Sequence, residues 1–315
     1  MTTTRVAAAT KTSPGKPPRA GRKRKRSRSL GTYLFILPAA LFVVATTVYP
    51  LLYNVNLGFY DAPIQKFLRG TVEWVGLSQY QEALGDPKTW VSLGTSLVYT
   101  LATIALMLTV GTAFAILFTK TFPGNKLLRS LLFLPYILPS VVAANVWRWM
   151  LDGTSGLVNY LLTTVRIIPE PVFWLGSPTF ALPAVILATA WTMVPFAMLL
   201  IIAGLQNIPR ATYEAAELDG AGRWSTFWRI TVPLLRPVLS VVALLGFIYT
   251  FKTFDTIFIM TRGGPGDATT VLPILAYNEA FVNFDLGSGA TVNTLLLVIP
   301  MVLAIIYFRS TRKEG

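Results

Sequence analysis

The chain has 315 residues, of which 53% are hydrophobic and 13% charged, with a net charge of +13. Soluble domains hold about 25% charged residues, so a mean hydropathy of +0.57 excludes a water-soluble globule and makes lipid the main solvent. Cysteine and histidine are both absent, which removes disulfides, thiol nucleophiles, and the commonest metal ligand and general base near neutral pH.

Residues 1–29 hold ten of the 27 basic residues and no acid. Rich also in Ser, Thr and Pro, they read as a disordered tail that touches anionic lipid and helps fix topology. Nucleic-acid binding is the rival reading of RKRKRSR, and the apolar run that begins at Leu30 argues against it. Six apolar runs follow, at 30–52, 90–118, 127–150, 181–205, 238–260 and 289–308. Each is long enough to cross a hydrocarbon core of about 30 Å. The first exceeds a signal-peptide core and reads as an uncleaved span. Continuous rather than alternating runs exclude a β-barrel. Pro38, Pro135, Pro139, Pro195 and Pro300 fall inside the runs and predict kinks. The fold class is therefore all-α and integral to the membrane. Its parts are a tail at 1–29, a six-helix domain at 30–310 and a short tail at 311–315.

Charge sets the expected orientation. With the N-terminus inside, the inside segments hold 20 Lys and Arg and the outside loops five, so both termini are expected in the cytoplasm. Trp74, Tyr80 and Trp90 suit an outer membrane interface, and GLVNYLL at 156–162 reads as a short surface helix.

The inside loop at 206–237 is unusual. Pro209 can start a helix, and residues 211–218 are mostly good helix formers. Glu214 and Glu217 share a face near the helix start, Ala215 and Ala216 are small, and Asp219-Gly220 signals a turn. A second helical stretch is expected at 223–232, ended by Pro233 and Pro237. This helix–turn–helix reads equally as an interfacial hairpin or as a docking element.

EAAELDGAGRWSTFWRITVP, at 214–233, resembles the EAA motif of ABC importer permeases. Glu214, Ala215, Ala216, Gly220, Ile230 and Pro233 stand at the motif's spacings, and Val232 replaces its usual Leu. TRGGPGDATT at 261–270 and WVGLSQY at 74–80 narrow the resemblance to carbohydrate-type permeases, in particular the maltose- and glycerol-phosphate-type first permease of a heterodimeric pair. The resemblance implies a type I importer architecture in the bacterial cytoplasmic membrane, with a cytoplasmic coupling helix. It further implies two copies of a cytoplasmic ATPase, a second homologous permease, an extracytoplasmic binding protein and a sugar-like solute. The chain has no phosphate-binding G-x-x-x-x-G-K-[ST] loop, so ATP and Mg are expected on the partner ATPase, with no cofactor or metal on this chain and no catalytic residue. An ion-gradient-driven transporter is the rival, weakened by the scarcity of acids inside the runs.

In the fifth run, continuous helical geometry puts Phe247, Phe251, Phe254 and Phe258 on one face and Tyr249, Lys252 and Thr256 on the other. Asp255 stands three residues from Lys252, close enough to pair. Charges inside a span mark either a watery path or a pair that locks helices. Tyr249, Lys252, Asp255 and Thr256 are thus candidate pathway residues, with Trp147 and Arg148 as weaker ones, since Arg148 can reach the outer interface.

Overall fold

A computed structural model describes residues 30–311; the expected tail at 1–29 and all of the one at 311–315 except Thr311, the last residue of a helix, lie outside the described residues. Among the described residues, those up to Pro50 and those from Leu51 on form two compact units. In chain order the helices are α1 (Leu30–Val43), α2 (Tyr49–Leu57), α3 (Ile64–Arg69), α4 (Ser78–Gly85), α5 (Pro87–Phe118), α6 (Asn125–Ile137), α7 (Ser140–Met150), α8 (Leu157–Thr164), α9 (Pro178–Gln206), α10 (Arg210–Leu218), α11 (Arg223–Thr226), α12 (Val232–Phe251), α13 (Asp255–Met260), α14 (Leu272–Tyr277) and α15 (Leu286–Thr311). Single π-helical turns occupy Val44–Val48, Phe227–Thr231 and Asn278–Val282. The one strand pair among the described residues, β1 (Tyr60–Asp61) with β2 (Glu73–Trp74), is antiparallel. It carries an aromatic cluster in which Trp74 stacks on Phe59 at 5.3 Å and meets Tyr60 edge-on at 5.1 Å.

Five stretches among the described residues are long and apolar enough to cross a bilayer: Phe35–Leu57, Pro87–Phe118, Pro178–Gln206, Arg223–Phe251 and Leu286–Tyr307. The pair α6 and α7, bent by 102°, is long and apolar enough only when taken together, and counts as a sixth candidate crossing if it is one broken span. The expected kink at Pro139 is thus a full break. Leu138 precedes the proline and takes extended angles (φ −65°, ψ 137°), because the ring of a following proline disfavours the helical region. The expected fifth span at 238–260 is also revised. It starts earlier, at Arg223, and α12 stops at Phe251, so Asp255–Met260 forms a separate helix.

Small and hydroxylated residues hold the interior together, as packing in lipid requires. Gly111 on α5 lies so near α9 that a Cβ there would sit 2.9 Å from the Ala197 Cβ. At Gly246 on α12 a Cβ would sit 2.6 Å from the Met107 Cε. Buried hydroxyls find partners across helices: Tyr99 and Thr189 share a hydrogen bond of 2.9 Å, and the Leu272 N–H donates to Ser96 Oγ at 2.8 Å. One core joins α5, α9, α12, α14 and α15 around Met107, Met198, Leu235 and Phe251. The other joins α5, α7, α9, α13 and α14 around Tyr99, Val185, Ile257 and Ile274.

The loop after α7 is pinned by Asn159, which is 3% exposed. Its amide donates to the carbonyls of Asp152, Gly153 and Val172, and its Oδ1 accepts from Val172 N–H and Trp174 Nε1. Asp152 Oδ1 takes four hydrogen bonds from Thr154 and Ser155. The backbone N–H of Ser155 foremost, then the Thr154 hydroxyl, holds that carboxyl well below the usual carboxylate range.

Candidate functional site: the loop at 206–237 and the broken span

Helix α10 begins at Arg210, with Pro209 extended (φ −60°, ψ 136°) as its N-cap. Its end is fixed by two hydrogen bonds, Gly220 N–H to the Glu217 carbonyl at 3.0 Å and Ala221 N–H to the Ala216 carbonyl at 2.9 Å. This paired pattern is the Schellman motif, which requires its last residue but one to be left-handed. Gly220 meets that requirement with φ +73°. Tyr213 reaches the π turn through its hydroxyl, 3.3 Å from Thr231 Oγ1, and ties α10 to the root of the next span.

The second stretch of the loop does not stop at Pro233. Helix α11, the π turn and α12 run on as one apolar stretch from Arg223 to Phe251. The carbonyl that the Pro233 ring would strike lies four residues back, at Arg229, inside the π turn where the bonding pattern is wider. Ile230 is half-buried in that turn, and Pro233 lies exposed in the first turn of α12.

Two expectations about α10 change. Ala216 is 6% exposed and faces its own chain, so its small size serves packing inside the loop, while Ala215 faces outward. Glu214 lies beyond the first turn, which holds no acid, so it gains nothing from the helix start. Glu214, Glu217 and Asp219 are all exposed. At the tip, Leu218 is 90% exposed, and Trp224 and Trp228 stand 74% and 51% exposed beside it in sequence, packed edge-on at 5.8 Å. Sequence reasoning overlooked these three; a leucine directly before a turn signal was the available clue.

The break after α12 rearranges the other candidates. Lys252 leaves the helix at φ −95° and ψ 5°, and the chain restarts at Asp255. The expected Lys252–Asp255 pair does not form; the ion pairs among the described residues both belong to Lys66. Asp255 Oδ2 instead accepts from Ser140 Oγ at 3.0 Å, linking the restart of α13 to the restart of α7. Lys252 Nζ lies 5.5 Å from the centre of the Tyr249 ring, a cation–π distance. Tyr249 meets Phe196 edge-on at 6.5 Å, and Phe196 stacks on Tyr136 at 5.7 Å. An aromatic ladder from α6, α9 and α12 thus ends on a cation in non-helical backbone. Thr256 is half-buried on α13. The phenylalanine stripe divides: Phe247 stacks on Phe251 at 5.1 Å within one core, and Phe254 stacks on Phe258 at 4.9 Å against Tyr277.

Trp147 is not part of the ladder. It lines an apolar cavity of about 280 Å³ with Trp191, Pro135 and Pro195, whose walls include none of Tyr249, Lys252, Asp255 and Thr256. It packs edge-on to Trp191 at 5.9 Å, and its buried Nε1 has no hydrogen-bond partner among the described residues.

Comparison with known proteins agrees with this geometry. Residues 107–312 match the family described as binding-protein-dependent transport system inner membrane component. The trehalose/maltose transport system permease protein MalF of Thermococcus litoralis is 33% identical over 91% of this chain and 95% of its own length. The sulfoquinovosyl glycerol transport system permease protein SmoG of Agrobacterium fabrum is 33% identical over 89% of this chain and 90% of its own. Among solved structures, a chain of a bacterial ABC transporter involved in import of the acidic polysaccharide alginate shares the fold, with a TM-score of 0.75 at 19% identity over 90% of this chain and 95% of that one. The chain therefore belongs to the binding-protein-dependent transport system inner membrane component family, as the multi-pass permease subunit of an ABC importer.

Proposed function

We propose that this permease carries a sugar or sugar-like solute across the cytoplasmic membrane, and that its loop at 206–237 docks on a separate ATPase subunit. The observation that carries the reading is the form of α10: a short helix closed by a Schellman turn at Gly220, with Leu218 almost wholly exposed at its tip. With Trp224 and Trp228 also exposed, the loop leaves three large apolar side chains in water, which suits burial in a partner's cleft. The chain has no phosphate loop, so hydrolysis of ATP with Mg falls to that partner, present in two copies. A second, homologous permease and an extracytoplasmic binding protein complete the assembly.

The sugar class is supported by the relatives, whose names include trehalose/maltose and sulfoquinovosyl glycerol transport, and by the ladder Tyr136–Phe196–Tyr249, since ring faces pack well on sugar C–H surfaces. Broken helices at a solute path recur in transporters because freed backbone groups there can meet the solute. Both termini are assigned to the cytoplasm by charge. The test is reconstitution of the full chain with its co-purified partners in vesicles. Uptake should require internal ATP and survive collapse of ion gradients. Leu218→Asp should reduce ATPase recovery and uptake together. Uptake that follows an ion gradient without ATP would refute the reading.

A further inference from the structure

A cavity of about 750 Å³ lies between the coupling loop and the ends of α5 and α9. Its lining changes character along the chain. Ile116 and Leu205, in the last turns of the two spans, together with Phe227 make one part apolar. Lys120, Arg210 and Arg223, each just beyond a span or at a loop-helix start, make the other part cationic, against the single carboxylate of Glu217. None of the three cations forms an ion pair among the described residues. Unopposed cations beside an apolar wall at the end of membrane helices fit an amphiphile with an anionic head. A guanidinium pair presents forked donors matched to phosphate oxygens, and the volume falls in the usual range for ligand sites, about 300–1,000 Å³.

We propose that this cavity binds the phosphate headgroup of an anionic phospholipid, and that the bound headgroup braces the coupling loop against α5 and α9. Tyr213 and Glu217 of α10 line the same space, so an occupant touches the helix that carries the EAA sequence. A free phosphate would satisfy the cations but leave Ile116, Leu205 and Phe227 uncovered, which is why the lipid is favoured over the ion. The bracing role rests on the coupling function proposed above; the binding itself does not.

The experiment uses the full chain with its co-purified partners, in vesicles of phosphatidylcholine alone or with phosphatidylglycerol, and a photoactivatable phosphatidylglycerol as probe. Label should enter peptides carrying residues 116–120 and 205–231, and ATP-driven uptake should be higher with phosphatidylglycerol. In Lys120→Gln/Arg210→Gln/Arg223→Gln, labelling should fall by about fivefold for each cation removed, and uptake should become indifferent to lipid. Arg210→Lys/Arg223→Lys should keep most of both. Equal labelling of wild type and triple variant, or uptake that never depends on headgroup charge, would overturn the proposal. Inorganic phosphate that restores full uptake in phosphatidylcholine alone would identify a free-anion site and overturn the lipid assignment. Loss of ATPase from the triple variant in lipid-free detergent would identify the cations as protein contacts and overturn it too. Labelling that persists when ATP drives no uptake at all would leave the lipid site standing and remove the coupling function instead.

Discussion

Backbone conformation makes Gly220 irreplaceable by most residues. At φ +73° a side chain with a branched Cβ meets the following carbonyl, at a cost of roughly 1–2 kcal/mol. Open space surrounds the position, with nothing within 4 Å of an added Cβ, so the penalty is conformational alone. Gly220→Val should therefore cut ATP-coupled uptake severely while membrane insertion stays normal, whereas Gly220→Asn, which tolerates that region, should retain most of it. Uptake and the amount of inserted protein, measured side by side, check both. Ala216 makes the contrasting case. Because it faces inward, Ala216→Trp should unseat α10 from its own chain and increase proteolysis of the loop even with no ATPase present; limited proteolysis of the purified chain reads this directly.

At the scale of elements, most of the fold was legible as runs of apolar residues, because lipid demands a length of helix that composition alone reveals. The helix and turn of the loop at 206–237 were legible too, from Pro209, the helix formers at 211–218 and Asp219-Gly220; the docking role was implied only by the resemblance to the EAA motif. The two breaks were not. Pro139 was visible, but a proline inside a span usually only bends it; here it holds Leu138 extended, and the two helices meet at 102° with α7 packed against α13. The break after Phe251 has no proline at all. It follows from burial, since it lets Phe254 and Phe258 pack on Tyr277 while Lys252 and Asp255 stay exposed. One continuous helix would have spread those groups around a single cylinder. The candidate path therefore gains Tyr136, Ser140 and Phe196 and loses the Lys252–Asp255 pair. Lys252→Ala should lower uptake several-fold at equal membrane level, and Ser140→Ala should act through the same helix junction as Asp255→Asn, so that the double variant is no worse than the stronger single one. Uptake rates over this cycle test the coupling.

Over the whole molecule, two arrangements are exposed to direct measurement. The charge bias predicts that reporters fused after Gly70, Glu170 and Asp267 lie outside and those after Gly124 and Asp219 inside. A single reversed site breaks the six-crossing model. The close approach of α5 to α9 at Gly111 and Ala197 predicts that Gly111→Leu forces the helices apart, with a cost of about 1–3 kcal/mol typical of overpacking. Thermal stability of the purified chain should fall, and Gly111→Ala should fall least.

The π turn at Phe227–Thr231 joins the loop to α12, and it holds one residue more than an α-helical turn would. That surplus residue acts as a phase setting. Removing it would let the segment relax to a regular α-helix and swing everything upstream by about 100° around the α12 axis. Leu218 and the EAA helix would then be intact, folded and aimed elsewhere. Deletion of Arg229 should accordingly abolish ATPase recovery and, by parting Tyr213 from Thr231, loosen the loop to proteolysis while membrane insertion stays normal, and inserting one alanine between Val232 and Pro233 in the same chain should bring part of the recovery back.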